Sequence, residues 1–288
     1  MPHVFIIILN YNLKWDVVEC LESVRKLSVT QYTLSVIVVD NASTDGSEQA
    51  VREKFPELVY LYNQENLGFS GGNNVGIKYA LEHGADYLLI LNPDTIVDAN
   101  LVTELLAAAE RRQNVGIFGP KIYFHKPPNM IWYAGGEIDW ANLLASHVGV
   151  DQIDHGQFDQ EQETDFVSGA ALFARRAVFE KVGLFDERYF LYWEDADLCI
   201  RAKRAGYGLW YVPKAVVWHK NASATGLGSP LQDYYITRNR LLFAQKFARP
   251  RTRFALFRES LRFLLGSNAT KRQAVIDYYV GKFGKGNY

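Results

Sequence analysis

The run Tyr87-Leu88-Leu89-Ile90-Leu91 stops abruptly at Asn92-Pro93-Asp94-Thr95. Five large apolar residues without a polar break describe a strand buried on both faces, as in a mostly parallel sheet. Pro93 cannot donate to a ladder and restricts Asn92, so the strand ends there. Asp94 is thereby presented at a strand's carboxyl end, where open α/β sheets place their ligands. A carboxylate there can hold a divalent cation, and through it a phosphate. Equally, Asn92 and Asp94 can simply turn the chain into the next element.

The same pattern precedes it. Val4 to Leu9 is a strand stopping at Asn10-Tyr11-Asn12, and residues 14–27 place Val17, Val18, Leu21, Val24 and Leu27 on one helical stripe. Leu34 to Val39 is a second buried strand ending at Asp40-Asn41, with Ser43, Thr44 and Asp45 offered as caps for a helix running to Pro56. Leu58 to Tyr62 is a third strand. A Gly-rich loop, Asn66 to Asn74, opens a helix that closes at Gly84. The fourth strand follows, with Asp98 capping the helix after it. Strand and helix alternate four times, so the fold class is α/β with a doubly wound, mostly parallel sheet.

Beyond residue 115 the pattern loosens into short β-like pieces to about 140 and a polar excursion over 141–165. Asp165 to Ala171 enters a helical stretch near Arg175 and Arg176. Glu194-Asp195-Ala196-Asp197 begins a helix that ends with Lys203, Arg204 and Gly206, a full set of start and stop signals. Short strands over 209–212 and 215–218 lead to His219. Three amphipathic helices are expected near 231–247, 250–265 and 270–282. With no repeats and no low-complexity linker, one domain with a helical C-terminal extension accounts for the chain.

Charge is unevenly distributed. Residues 238–288 hold twelve Lys or Arg against Glu259 and Asp277, a balance of +10; the remainder holds 19 basic and 30 acidic residues, a balance of −11. A basic tail on an acidic body suggests an anionic partner at one end, and no nucleic acid is expected. In the tail, arginines 249, 251, 253, 258 and 262 interleave with Phe254, Leu256, Phe257, Leu261, Phe263 and Leu264. That suits a helix lying on an anionic membrane, or equally one packed on the body or on a second subunit as a homodimer. Cys20 and Cys199 have no metal-ligand spacing and read as buried thiols of a cytoplasmic protein. Met1-Pro2-His3 runs straight into a strand, so no signal peptide is expected, and the sequons at Asn41, Asn221 and Asn268 carry no weight without secretion.

Asn10, Asp40, the Gly-rich loop and Asp94 all follow strands of one parallel sheet, so they gather on one edge. A carboxylate such as Asp40 can accept from the N3–H of uracil or thymine, or make an Asx turn. The loop matches neither GxGxxG nor a P-loop, yet its glycines allow close backbone approach to a ligand.

Val38-Val39-Asp40-Asn41-Ala42-Ser43-Thr44-Asp45-Gly46-Ser47 resembles the nucleotide-binding segment of family 2 glycosyltransferases with the GT-A fold. Asn66 to Asn74, Asn92-Pro93-Asp94, Glu194 to Asp197 and Tyr235-Ile236-Thr237-Arg238-Asn239-Arg240 resemble further motifs of that family, nearest to bacterial rhamnosyltransferase-like enzymes of surface polysaccharide synthesis. The resemblance covers roughly residues 3–245. It implies a catalytic domain over 1–230, with a nucleotide-binding half to about 98 and an acceptor half beyond, and a basic helical extension over 231–288.

The resemblance further implies an inverting, Mg²⁺- or Mn²⁺-dependent transferase using a dTDP- or UDP-sugar, with dTDP-rhamnose among the donors, and a glycan or lipid-linked acceptor. Asp40 would hold the base, with Asn10 and Tyr11 beside the nucleoside. Asn66, Gly68 and Asn73 would line the ribose and sugar, with Asn92 and Gly169 also in the substrate site. Asp94 would bind metal, assisted by His219. Asp195 would be the catalytic base and Glu194 would position the acceptor or the base. Where the family often has Asp-x-Asp, this chain has Asn92, a weaker ligand for a hard cation. The resemblance implies a cytoplasmic enzyme, at most peripheral on the inner membrane face. Two rivals remain: a sugar nucleotidyltransferase, which would want a basic phosphate loop after the first strand, and a non-catalytic glycan-binding module, which would not need Glu194 and Asp195.

Overall fold

The computed structural model describes residues 1–220 and 229–286, so the sequon at Asn221 lies outside the described residues. β1 (His3–Asn10), α1 (Lys14–Val24), β2 (Thr33–Asp40), α2 (Ser47–Lys54), β3 (Val59–Tyr62), α3 (Gly68–Glu82) and β4 (Tyr87–Leu91) alternate strand and helix. β1 pairs in parallel with β2 on one side and β4 on the other, and β2 pairs in parallel with β3. The strand order 3-2-1-4 reverses the winding between β1 and β4, which opens a crevice at the carboxyl ends of these strands. Ile6, Ile7 and Ile8, with Ile37, Val38, Val39 and the leucines and isoleucine of β4, are buried on both faces. Helices cover each face, so no position alternates to water.

β5 (Thr95–Val97), α4 (Leu101–Arg111), β6 (Val115–Phe124), β7 (Ile131–Tyr133), the hairpin β8 (Gly136–Asp139) and β9 (Leu144–His147), β10 (Gln162–Glu163), β11 (Ala171–Arg175), α5 (Arg176–Val182), α6 (Glu194–Arg204) and β12 (Gly208–His219) complete the body. β11 runs antiparallel between β4 and β6, and β12 runs parallel to β6. β4, β6 and β12 therefore point the same way. β11 starts where β4 stops, with Ala171 opposite Leu91. Short β5 folds back onto the end of β12 and sets His219 opposite Thr95.

Four local expectations are corrected. The helix expected near Arg175 and Arg176 is α5, starting at Arg176, but the segment before it is a strand that the pattern does not announce, because Ala171-Leu172-Phe173-Ala174 is a short apolar run buried on both sides. The Gly-rich segment is not a loop but the first turns of α3. Its missing side chains let the helix sit on the sheet, since a Cβ at Gly72 would lie 2.4 Å from Leu9 and one at Gly76 2.5 Å from Ile7. The two short strands before His219 are one strand with a register shift between Val212 and Val216. Asp98 does not cap α4 directly: Asn100 is the cap residue, and Asp98 Oδ1 accepts from its N–H at 2.8 Å.

α7 (Pro230–Phe247), α8 (Pro250–Leu265) and α9 (Ala269–Tyr279) each begin where a proline or an asparagine cap fixes the first turn. α7 buries Leu241, Leu242 and Phe243 in the same core as the sheet. α9 is tied to α7 by the Tyr234 hydroxyl donating to Asp277 at 2.6 Å.

Candidate active site

At the end of β1, Asn10 is fully buried and its Nδ2 donates to Asp40 Oδ2 and Ser43 Oγ, each at 3.1 Å. Asp40 ends β2 and is itself fully buried. Its Oδ1 accepts from the Ser43 amide at 2.6 Å, and its Oδ2 also accepts from the Tyr60 hydroxyl at 2.8 Å. Its full burial, rather than a lack of acceptor capacity, stands between that carboxylate and a nucleobase. Asn10 Oδ1 has no protein partner, and Tyr11 beside it is 44% exposed.

Asn41 donates to Gly68 O at 2.9 Å and Asn66 Oδ1 at 3.3 Å, and Asn66 Oδ1 accepts from the Gly68 amide at 2.8 Å. Gly68 adopts φ +72°, and a Cβ there would lie 2.4 Å from the Phe190 carbonyl. Only glycine fits. That carbonyl accepts from the amides of Phe69 and Ser70, at 2.6 and 3.3 Å, and so occupies the start of α3. Asn73 is buried; its Nδ2 donates to Phe69 O at 3.0 Å, while its Oδ1 has no protein partner.

Beyond β4, Asp94 Oδ1 and His219 Nε2 stand 3.1 Å apart, both nearly buried. Asn92 Nδ2 lies 3.4 Å from the same ring nitrogen. Burial raises the Asp94 pKa, but the His219 bond and charge outweigh it and hold the carboxyl below its ordinary value. The imidazole packs edge-on to Trp132, with ring centroids 4.6 Å apart. Beside it, Lys220 donates its amide to Asp94 O at 2.9 Å and its Nζ to Asp16 and Glu19.

The acidic start of α6 faces this edge from the other side. Asn92 donates its amide to Ala170 O at 2.9 Å, and next to it the Gly169 amide donates to Asp195 Oδ2 at 2.9 Å. One short segment thus bridges the Asp94 turn and Asp195. A Cβ at Gly169 would lie 2.9 Å from the Phe69 ring, so the amide reaches Asp195 only because the residue is glycine. Burial raises the Asp195 pKa, against the opposing pull of the Gly169 and Ala196 amides. The net direction is upward even though Asp195 lies in the first turn of α6. Glu194 is buried, with Oε2 lacking a protein partner, and its pKa is raised well above the usual range by burial and then by the Asp195 charge. Asp195 opens on a cleft of about 330 Å³ between β9 and the C-terminal helices, with His147, Trp193, Arg240, Phe263 and Lys271 among its walls.

Asp197 follows in the first turn of α6. It is fully buried, accepts from Arg201 Nε at 2.6 Å and from Tyr189 at 3.1 Å, and pairs with Lys246. Sequence reasoning gave no physical role to Arg238 and Asn239, which prove central. Asn239 Nδ2 donates to the carbonyls of Tyr189, Leu191 and Tyr192, at 2.8, 2.7 and 2.9 Å. Buried Arg238 donates to those of Arg188 and Tyr189, at 3.1 and 2.9 Å. The segment they hold contains Phe190, Tyr192 and Trp193, all at positive φ (64°, 68° and 76°). The only sequence signal was the Arg-Asn dipeptide itself.

Residues 2–244 match the family described as glycosyltransferase like family 2. The chain belongs to that family. As a family 2 glycosyltransferase it is 31% identical over 221 residues to an N-acetylglucosaminyl-diphospho-decaprenol L-rhamnosyltransferase of Mycobacterium tuberculosis, covering 68% of this chain and 70% of the relative. It is 24% identical to the rhamnosyltransferase WbbL of Escherichia coli, over 85% of this chain and 97% of that one. Among solved structures, a mannosyltransferase of Pyrobaculum calidifontis in complex with GDP-Man and Mn²⁺ superposes with TM-score 0.60 at 17% identity, over 97% of this chain and 74% of that one. GalNAc-T7 with UDP, GalNAc and Mn²⁺ superposes with TM-score 0.70 at 15% identity, over 97% of this chain and 55% of that one. The fold of this glycosyltransferase is GT-A.

Proposed function

We propose that this glycosyltransferase moves a sugar with inversion from a dTDP- or UDP-sugar, dTDP-rhamnose foremost, to a lipid-linked glycan acceptor in surface polysaccharide synthesis. The rhamnosyltransferase relatives support this donor and this acceptor class. The observation that supports the mechanism is the bridge Asn92–Ala170–Gly169–Asp195, which ties the cleft-facing carboxylate to the turn that carries Asp94.

The nucleoside end is assigned to Asn10, Tyr11 and Ser43, with Asp40 acting by fixing Asn10 and Ser43. The ribose and sugar are assigned to Asn66, Gly68 and Asn73, whose free Oδ1 is an unused acceptor. Asp94 and His219 fit a divalent cation. An octahedral ion with bonds near 2.1 Å sets neighbouring ligand atoms roughly 3 Å apart, which matches their 3.1 Å separation. Among the described residues no cluster of three or more metal-ligating side chains exists, so the donor diphosphate and water would complete the shell, as suits Mg²⁺ or Mn²⁺. Bound there, the cation supplies positive charge against the departing diphosphate. Asp195 takes the acceptor hydroxyl's proton as that oxygen attacks the anomeric carbon and the bond to the diphosphate breaks on the opposite face. Its raised pKa moves it toward the working pH, where a general base is most effective. Glu194, buried beside Asp195 with its pKa raised, positions the base. The action is placed in the cytoplasm.

The test is nucleotide release from a panel of dTDP- and UDP-sugars with Mg²⁺, Mn²⁺ or excess EDTA. Turnover should require the metal, and Asp94→Ala should abolish it. Full activity in EDTA would return Asp94 to the role of a turn residue.

A further inference from the structure

Among the described residues the outer face of α8 is largely uncovered, touched only where the Tyr279 ring of α9 meets Phe257 edge-on, with centroids 6.4 Å apart. Phe254, Phe257, Leu261 and Leu265 follow one another at spacings of three, four and four, so they line one side of the helix. They are 63, 46, 44 and 90% exposed. The opposite side of the same helix is satisfied, with Thr252, Leu256 and Ser260 buried against the body. Sequence pattern alone had grouped Leu256, Phe263 and Leu264 with the outward stripe; they turn inward, and Leu265 takes their place.

Arginines border the exposed stripe: Arg253 on one flank, Arg251, Arg258 and Arg262 on the other, all exposed and none in an ion pair among the described residues. Glu259, the single acid of α8, is spent on Arg240 inside the fold. An apolar stripe flanked by unneutralised guanidiniums complements an anionic, apolar-backed surface, and a lipid bilayer presents both. A second copy of this chain would set arginine against arginine.

We infer that α8 docks this enzyme on anionic membrane, with Phe254, Phe257, Leu261 and Leu265 entering the interface and the arginines on lipid phosphates. The purpose follows from position and rests on the lipid-linked acceptor proposed above. Glu259 and Phe263, on the inner side of α8, form a wall of the cleft that holds Asp195. A helix is about 10–12 Å across with its side chains, so the membrane would lie one helix thickness from the acceptor path.

The test is co-sedimentation of the full chain with phosphatidylcholine vesicles, with and without phosphatidylglycerol, at low and high salt. Binding should need the anionic lipid and weaken with salt. The triple charge reversal R251E/R258E/R262E should lower partitioning on the order of a hundredfold, at about fivefold per arginine. The pair Phe254→Ser and Leu265→Ser should also release the protein. Both variants should keep wild-type nucleotide release with a water-soluble acceptor, because neither touches the cleft; that assay separates failure of docking from failure of the transferase reading. No binding to either vesicle by the intact protein overturns the inference. So does self-association abolished by the Phe254 and Leu265 substitutions without vesicle binding, which would make a second copy the occupant.

Discussion

A carboxylate that must take a proton gains basicity from burial, and Asp195 and Glu194 show how unequally burial acts on neighbours. Asp195 keeps two backbone donors and a face on the cleft, so it remains the ionisable member of the pair. Glu194 has no donor for Oε2 and sits beside a like charge, which favours its neutral form. Asp195→Asn should therefore lose ~10²–10⁴ in kcat with donor affinity unchanged, the scale of a general base. Glu194→Gln, an isostere of the neutral acid, should lose less than tenfold; nucleotide-release kinetics with both substrates varied will separate the two. Near-normal turnover by Asp195→Asn would move the base elsewhere. The titration of His147, on the cleft wall, is displaced as well. Burial pushes its pKa from 6.5 down to about 4, against a bond to the Trp132 carbonyl and with the His219 charge adding to the fall. Its folded pKa lies below its unfolded one, so between about pH 4 and 6.5 the unfolded chain binds more protons. Stability from this residue is full above that window and lost as pH falls through it. Replacing His147 with Gln should flatten this part of the stability–pH profile, by on the order of 3 kcal/mol across the window.

The element that decides the site is the strained turn leading into α6. Three non-glycine residues at positive φ cost roughly 1–3 kcal/mol each and persist only where their surroundings over-determine them. α7 does so from one direction, through the five bonds of Arg238 and Asn239 to carbonyls of residues 188–192. The start of α3 does so from the other, by donating two amides to Phe190 O. The turn in turn aims the first residues of α6 at the cleft. Asn239→Ala leaves buried carbonyls unpaired, at about 1–3 kcal/mol for an unsatisfied group. The variant should melt earlier, and below its melting point kcat should fall at least tenfold while the KM for donor changes little. A fall in stability with kcat intact would reduce Asn239 to a structural tie.

At the scale of the whole molecule, what was legible in the sequence was what neighbouring residues decide. β1 and β4 announce themselves as unbroken apolar runs, β2 as a run broken only at Ser35, and α7 and α8 by proline at their first turn. β11 is not announced as a strand, because a five-residue buried run has no period to distinguish it from the start of the helix that follows. The carboxyl-edge residues were legible because parallel strands must share an edge. The burial of Asp40, the inward turn of Asp197 and the work of Asn239 were not, since each depends on partners about 20 to 50 residues away. The longest of these dependencies closes the chain on itself. Gly284 donates its amide to Arg188 O at 2.9 Å and accepts from Arg238 Nη1 at 2.7 Å, and the Gly286 amide donates to the Tyr235 hydroxyl at 3.0 Å. The C-terminal segment therefore braces the turn before α6, although it carries no motif of its own. Ending the chain after Val280 removes an acceptor from a buried guanidinium and a donor from Arg188 O, each about 1–3 kcal/mol. The truncated protein should melt at lower temperature, bind nucleotide with near-normal affinity, and turn over more slowly, because the loss falls on the α6 side of the cleft and spares β1, β2 and α3. Calorimetry, nucleotide titration and release kinetics on the same preparation check all three. Unchanged kcat after truncation would show that α7 and the start of α3 hold the turn without the C-terminal segment.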